Sequence, residues 1–213
     1  MKTLIKYIVL AIILMVVAPN CFSQNAEDIL TELSERTNSF NSIKVSFAYK
    51  MVNKDADINE VTNGTLLVSG DKYNINIAGQ NVISDGSTLW TYIPDSQEVQ
   101  INEVSEDEGF SPSKLLSSYN DSYSSSKMDN LTINGKTYYQ LKLNPKDKNS
   151  NFDYVILIIN KELMQLSNFI MYDYENNEFS YEIKQFITDE SIPETSFSFN
   201  PADYPDVEVI DMR

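Results

Sequence analysis

The chain has 213 residues, of which 16 are basic and 31 acidic, so its formal net charge at pH 7 is −15. A negative field of this strength repels nucleic acid and anionic surfaces, which excludes functions that need polyanion binding. Histidine is absent, which excludes catalytic triads and metal sites built on histidine. Carboxylate chemistry remains open, but 31 acidic residues place some carboxylates together by chance, so no pattern favours a glycoside hydrolase.

The first 23 residues have the pattern of a secretory signal peptide. Two lysines precede an apolar run over residues 8–17, and the small residues Cys21 and Ser23 stand at positions −3 and −1 of a cut after Ser23. The run is shorter than the roughly 20 residues of a membrane span, which favours cleavage over an anchor. Acylation of Cys21 is a further alternative, although the preceding Asn20 is not the small residue that such processing prefers. We predict a single exported domain over residues 24–213, with no cysteine and therefore no disulfide.

One long amphipathic helix is predicted over residues 25–40. Asn25 has the side chain of an N-cap, and Asp28 falls at the position of a capping box. Apolar residues share one side of this helix, while the acidic residues lie elsewhere. The apolar side must therefore cover another apolar surface.

After the helix the apolar period changes from about 3.6 residues to two, which is typical of strands. Asp85-Gly86 and Asn134-Gly135 are hairpin signals between such runs. The strand-like runs number about eleven, and they cover residues 45–51, 64–69, 73–77, 82–83, 88–93, 99–101, 128–133, 137–143, 152–159, 166–174 and 179–187, with a tail at 207–210. The fold class is therefore mainly β, with one large antiparallel sheet or barrel.

Two further segments have local signals. Residues 55–60 match part of a calcium loop, but Glu60 stands where that loop requires glycine, so we interpret the segment as a hairpin turn. Ser111 before Pro112 predicts a short second helix over residues 110–116. No metal site or cofactor site is predicted.

Three stretches resemble the family of outer-membrane lipoprotein carriers, LolA. Residues 83–94 are similar to that family's S-D-G-x-x-L-W-x-Y-x-P signature, residues 39–47 to its entry from helix to first strand, and residues 197–201 to its late F-x-F-x-P motif. The motif residues in this chain are Ser84, Asp85, Gly86, Leu89, Trp90, Phe197, Phe199 and Pro201.

The resemblance implies a half-open, incomplete antiparallel β-barrel of about eleven strands whose concave side is covered by a helical lid. It implies a periplasmic carrier, not an enzyme, whose apolar cavity shelters the acyl chains of lipoproteins. The implied partners are acylated lipoproteins or lipids, an inner-membrane ABC lipoprotein exporter and an outer-membrane acceptor. We expect a monomer that needs no cofactor and binds no nucleic acid.

Candidate site residues follow from the apolar positions of the strands and helices. The predicted cavity wall consists of Phe47, Tyr49, Leu66, Val68, Tyr73, Ile75, Trp90, Tyr92, Leu141, Leu157, Phe169, Met171 and Tyr181. The predicted lid residues are Leu30, Leu33, Leu115 and Leu116. Each of these side chains is also explained by ordinary core packing, so the pattern leaves open whether the barrel holds cargo or is filled by its own side chains.

Two alternatives therefore stand beside the carrier hypothesis: a lipid-binding or sensor domain that transports nothing, and an envelope scaffold on the same fold. The resembling family also places a lid-holding arginine before its S-D-G motif. Here the arginines are Arg36 and Arg213, and Lys72 is the basic residue in that region. Lysine lacks the planar fork of arginine, so the pattern leaves open whether Lys72 holds a lid.

Overall fold

The structure, a computed structural model, describes residues 24–104 and 122–213. The predicted signal peptide and the predicted second helix, with Leu115 and Leu116, lie outside these ranges. Among the described residues no helix is both long enough and apolar enough to cross a membrane.

Helix α1 (Ala26–Asn38) begins where the sequence predicts it. The side chain of Asn25 accepts a hydrogen bond from the backbone N–H of Asp28 at 2.8 Å, and the Asp28 carboxylate accepts one from the N–H of Asn25 at 3.4 Å. This reciprocal pair is a capping box, which satisfies two of the N–H groups left unpaired at a helix start. The predicted helix and its cap are confirmed.

The strands form one large sheet. They are β1 (Ile43–Asn53), β2 (Ile58–Ser69), β3 (Lys72–Ile77), β4 (Gln80–Ser84), β5 (Thr88–Ile93), β6 (Glu98–Glu103), β7 (Tyr123–Lys127), β8 (Leu131–Ile133), β9 (Lys136–Pro145), β10 (Phe152–Asn160), β11 (Gln165–Asp173), β12 (Glu178–Thr188) and β13 (Glu208–Asp211). Their order across the sheet is β13-β6-β5-β4-β3-β2-β1-β12-β11-β10-β9-β7, and β8 pairs with β9 beside β7.

The described sheet is mainly antiparallel and does not close into a barrel, because β13 and β7 form its two edges and do not pair with each other. The predicted fold class, a half-open sheet with a covering helix, is confirmed. The described part of the chain contains thirteen strands instead of about eleven. The all-antiparallel prediction is wrong at β13, which pairs with β6 in parallel.

The predicted hairpin turns are confirmed at three places. Residues 54–57 connect β1 to β2 as a turn, not as a calcium loop. Asn134 and Gly135 both have positive φ between β8 and β9, as a two-residue hairpin loop requires. Gly86, with a φ of 94°, lies in the turn between β4 and β5.

Because side chains alternate between the faces of a sheet, each strand contributes to two different surfaces. We call the face on which α1 packs the inner face and the opposite one the outer face. The main hydrophobic core lies between α1 and the inner face, and a smaller one lies on the outer face of β4, β5 and β6.

Candidate functional site

The inner face is apolar across nearly the whole sheet. In the β1–β12 ladder Phe47 lies opposite Ile183 and Tyr49 lies opposite Tyr181. In the β1–β2 ladder Val45 lies opposite Leu66. Eleven of the thirteen predicted wall residues belong to this one cluster: Phe47, Tyr49, Leu66, Val68, Tyr73, Ile75, Leu141, Leu157, Phe169, Met171 and Tyr181.

Helix α1 covers one part of this face. Ile29, Leu30 and Leu33 are at most 1% exposed and belong to the same cluster as the apolar residues of β9, β10 and β11. The start of the helix is tied to the sheet by Gln24, whose side-chain oxygen accepts a hydrogen bond from the Tyr139 hydroxyl at 2.7 Å. The two predicted lid residues that the structure describes, Leu30 and Leu33, therefore do pack on the inner face.

The burial of the inner face is uneven. Leu141 and Leu157, on β9 and β10, are completely buried. Leu66, Ile75 and Leu89, on β2, β3 and β5, are only partly buried although they belong to the same cluster. The inner face thus has a fully packed region against α1 and a second apolar region, around Leu66, Ile75 and Leu89, whose side chains are incompletely covered. We call this second region the apolar floor.

A group of aromatic rings lies at the middle of the inner face. The ring of Tyr181 is 5.6 Å from that of Phe47, 5.1 Å from that of Tyr49 and 6.1 Å from that of Phe169, measured between centroids. Burial raises the pKa of the Tyr181 phenol to about 12. Burial, followed by the negative charge of Glu60, also raises the pKa of Tyr49. Both phenols are therefore neutral at physiological pH.

Trp90 and Tyr92 are the exceptions among the predicted wall residues, and their placement on the cavity wall is wrong. Trp90 lies opposite Ile83 and Ile101, and Tyr92 lies opposite Val99, all on the outer face. Both rings pack there against the small core of Ile83, Val99 and Phe199. The reason is the strand period of two, because Leu89 points to the inner face and its neighbour Trp90 must point to the other.

The C-terminal segment covers this outer core. Phe197 and Phe199, from the late motif, are 1% and 7% exposed, and the Phe199 ring stacks on Tyr204 at 4.8 Å. Pro201 begins a short 3₁₀ turn in which the side chain of Asn200 accepts a hydrogen bond from the N–H of Ala202. The late motif thus holds the end of the chain against the sheet.

Lys72 also belongs to the outer face. Its ammonium group forms an ion pair with Glu194, and two residues further along β3 the Asn74 side chain donates to the backbone oxygen of Ser196 at 2.7 Å. Lys72 therefore fastens the C-terminal segment on the side away from α1. This position is on the opposite face of the sheet from Leu30 and Leu33, the predicted lid residues that the structure describes.

The residues of the S-D-G motif build a turn. The Ser84 hydroxyl is buried and accepts a hydrogen bond from the N–H of Gly86 at 3.1 Å. One carboxylate oxygen of Asp85 accepts from the N–H groups of Ser87 and Thr88 at 2.8 and 2.7 Å. These contacts fix the connection from β4 to β5, as expected for Asp and Gly in a turn.

Sequence reasoning missed several inner-face residues. Their shared property is an apolar side chain that is partly buried against the main core, and they are Ile77, Val82, Leu89, Tyr123, Phe152, Phe179, Ile183 and Phe186. For Ile77 the signal was present, because it continues the alternation of Tyr73 and Ile75. Ile183 and Phe186 are three residues apart and would lie on opposite faces of a regular strand. A β-bulge in β12 shifts the register between them, so that both lie on the inner face.

The acidic side chains of the described residues do not form a metal-binding cluster. Within ranges 24–104 and 122–213 no three acidic or other ligating side chains are close enough to hold a metal ion. Two clefts lined entirely by described residues are open and more polar than apolar, one near Gln24 and Ser125 and one near Tyr138 and Lys184.

Residues 38–200 match the family described as "Outer membrane lipoprotein carrier protein LolA". The Outer-membrane lipoprotein carrier protein of Photobacterium profundum is 25% identical over 175 residues, which cover 80% of this chain and 84% of that protein. Among solved structures, an uncharacterized conserved protein from Thermus thermophilus has a TM-score of 0.60 at 9% identity, over 87% of this chain and 98% of that one. A LolA superfamily protein from Nitrosomonas europaea has a TM-score of 0.44 at 15% identity, over 83% and 99%.

Proposed function

The chain belongs to the LolA family of outer-membrane lipoprotein carrier proteins, and we propose that it is a periplasmic carrier that shelters the acyl chains of lipoproteins on its inner face. It moves them from the inner to the outer membrane. The family is one of periplasmic carriers, not of enzymes. The cleaved signal peptide over residues 1–23 and a single carrier domain over residues 24–213 are parts of the same proposal.

The observation that carries the proposal is the incomplete cover of the apolar inner face. Leu66, Ile75 and Leu89 are partly buried, whereas the side chains beneath α1 are fully buried. An apolar floor of this kind gains free energy when an acyl chain covers it, at roughly 0.8 kcal/mol for each methylene removed from water. Acyl chains of ordinary length would thus gain many kilocalories per mole, enough to keep a lipoprotein in aqueous solution.

The proposal includes two partners, for which the likeness to the LolA family is the support. An inner-membrane ABC lipoprotein exporter supplies the acylated protein, and an outer-membrane acceptor receives it. The acidic surface, with a formal net charge of −15 for the whole chain, keeps the carrier away from anionic membrane surfaces between these two steps. No cofactor is needed, because loading and release break no covalent bond.

Native mass spectrometry tests this proposal. The full chain is expressed with its own leader in a Gram-negative host, purified from the periplasm without detergent, and its mass is compared before and after denaturation. The expected result is an additional mass of lipid or acylated protein that is lost on denaturation. A bare mass, together with no uptake of lipoprotein from isolated inner membranes, would overturn the carrier function and favour a filled scaffold.

Two matched variants locate the binding face. Ile75→Asp places a charge on the inner face, whereas Val61→Asp places the same charge at an outer-face position that is 65% exposed. We expect the first variant to lose the bound mass and the second to keep it, with circular dichroism showing that both remain folded. Equal loss in both variants would argue against an inner-face site.

A further inference from the structure

Two phenol groups on adjacent strands of the inner face have no hydrogen-bond partner among the residues that the structure describes. We propose that Tyr49 and Tyr181 form a polar subsite in the apolar inner face, where their hydroxyl groups donate hydrogen bonds to the ester carbonyl oxygens of the acyl cargo. This inference rests on the proposed function and adds to it the chemical group that is recognised. It predicts a carrier that distinguishes ester-linked chains from chains of equal length without a carbonyl.

The two tyrosines are held in a fixed relation by the sheet. They lie directly opposite each other in the β1–β12 ladder, and their ring centroids are 5.1 Å apart with the ring planes inclined by 48°. Phe47 and Phe169 contact the Tyr181 ring from two further directions. Packed rings lose little conformational freedom when a ligand binds, so hydrogen bonds to them are formed at low entropic cost.

The hydroxyl groups of the pair are available to a ligand. Within the described part of the chain neither of them forms a hydrogen bond to the protein. Among the described tyrosines, the Tyr139 hydroxyl donates to Gln24 at 2.7 Å and the Tyr172 hydroxyl to Glu178 at 3.1 Å, whereas the hydroxyls of Tyr73 and Tyr123, like those of the pair, have no protein partner. The pair differs from these two in that its rings lie directly opposite each other.

Neither hydroxyl of the pair is enclosed, because among the described residues the buried side-chain atoms without a partner are Asn81 Oδ1 and Ser125 Oγ. The Tyr49 and Tyr181 hydroxyls are therefore open to donate to an acceptor on a ligand that covers the inner face.

The surroundings select the kind of acceptor. The inner face around both rings is apolar, which suits the hydrocarbon part of an acyl chain. The charged group that acts on Tyr49 is the carboxylate of Glu60, which repels an anionic headgroup. A neutral carbonyl oxygen at the head of a long apolar chain meets both conditions, and the ester groups of an acylated lipoprotein have this chemistry.

The test compares two probes that differ only in the carbonyl. One is a fluorescent dipalmitoylglyceryl-cysteine peptide, and the other is its dialkyl ether analogue with chains of the same length. Binding to the mature chain is measured by fluorescence anisotropy. We expect the ester probe to bind roughly 5- to 10-fold more tightly than the ether probe, as one or two hydrogen bonds predict.

Tyr49→Phe and Tyr181→Phe remove the hydroxyl groups and keep the rings. In both variants we expect the ester probe to lose its advantage while the ether probe binds as it does to the wild type. Tyr154→Phe is the matched control, because Tyr154 lies on the outer face beside Tyr172, and it should keep the wild-type preference. Thermal unfolding establishes that all three variants are folded.

The outcomes separate this inference from the proposed function. If the wild type binds both probes equally, or if the two inner-face variants keep the preference for the ester, the polar subsite is overturned while acyl binding stands. If the wild type binds neither probe, the proposed function fails and the subsite fails with it.

Discussion

Gly64 lies directly opposite Phe47 in the β1–β2 ladder, and the Phe47 ring occupies the space that a side chain at position 64 would need. A Cβ atom at Gly64 would collide with this ring and would come within 2.8 Å of the backbone oxygen of Asn76. The absence of a side chain at this strand position therefore allows the Phe47 ring, which also packs against Tyr181, to lie over β2.

This relationship predicts that Gly64→Ala destabilises the protein. Overpacking in a filled core typically costs 1–3 kcal/mol, and we expect a cost of about 2 kcal/mol in urea denaturation. Combining the change with Phe47→Leu should relieve the collision, so that the double variant is more stable than the sum of the single effects. A Gly64→Ala protein as stable as the wild type would show that the ring has room to move.

The packing of helix α1 on the inner face gives a second prediction. Leu33→Ala should lower the free energy of unfolding by roughly 2–5 kcal/mol, because Leu33 is 1% exposed between α1 and the sheet. Leu163→Ala is the control, since Leu163 is 54% exposed in the β10–β11 turn, and it should change stability by less than about 0.5 kcal/mol. Similar costs for the two changes would mean that α1 is not firmly packed.

Much of the fold follows from local signals in the sequence. The capping box at Asn25, the Asn134-Gly135 turn and the period of two were sufficient to predict α1, the hairpins and most strands. Strand β7 was missed because its residues, Tyr123–Lys127, include three consecutive serines with no apolar alternation. The parallel pairing of β13 depends on a long return of the chain, which no short-range pattern encodes.

Most of the predicted wall residues lie on the inner face, but the sequence pattern did not separate them from residues on the outer face. Residues that alternate within one strand share a face, but the pattern does not say which face receives the helix. Trp90 and Tyr92 were therefore assigned to the same face as Ile75, although pairing places them opposite Ile83 and Val99 on the outer face.

The outer-face position of Trp90 gives a third prediction. Trp90→Ala should cost stability, on the order of 1–3 kcal/mol, because the indole packs beside Phe199 in the small outer core. The affinity of this variant for an acylated peptide should remain within about twofold of the wild type, because Trp90 lies on the opposite face from the proposed binding surface. Leu66→Ala, on the inner face, should weaken that affinity. A greater loss of affinity in Trp90→Ala than in Leu66→Ala would contradict the assignment of faces.

The raised pKa of Tyr181 gives a fourth prediction, at alkaline pH. The pKa is about 12 in the folded protein against 10.0 for an ordinary tyrosine, so above pH 10 the phenol ionises more readily in the unfolded chain. The contribution of Tyr181 to the free energy of unfolding is therefore fully present below pH 10 and is lost as the pH rises towards 12. Urea denaturation between these values should show a smaller loss of stability for Tyr181→Phe than for the wild type.

A comparison with Tyr172 controls this alkaline effect. Burial first, and then Glu178, raise the pKa of Tyr172 to about 12. Glu178→Gln should therefore lower the pKa of Tyr172 and leave that of Tyr181 unchanged, as followed by phenolate absorbance. If Glu178→Gln also lowered the pKa of Tyr181, burial could not be the main cause of the raised Tyr181 pKa.

The most direct test of the inner face as the acyl-binding surface is photocrosslinking in living cells. A benzophenone amino acid is placed either at Ile75 on the inner face or at Trp90 on the outer face, and crosslinked products are probed for acylated lipoproteins. We expect acylated crosslinks from position 75 and none from position 90. Crosslinks from position 90 alone, or equal crosslinks from both positions, would contradict this expectation.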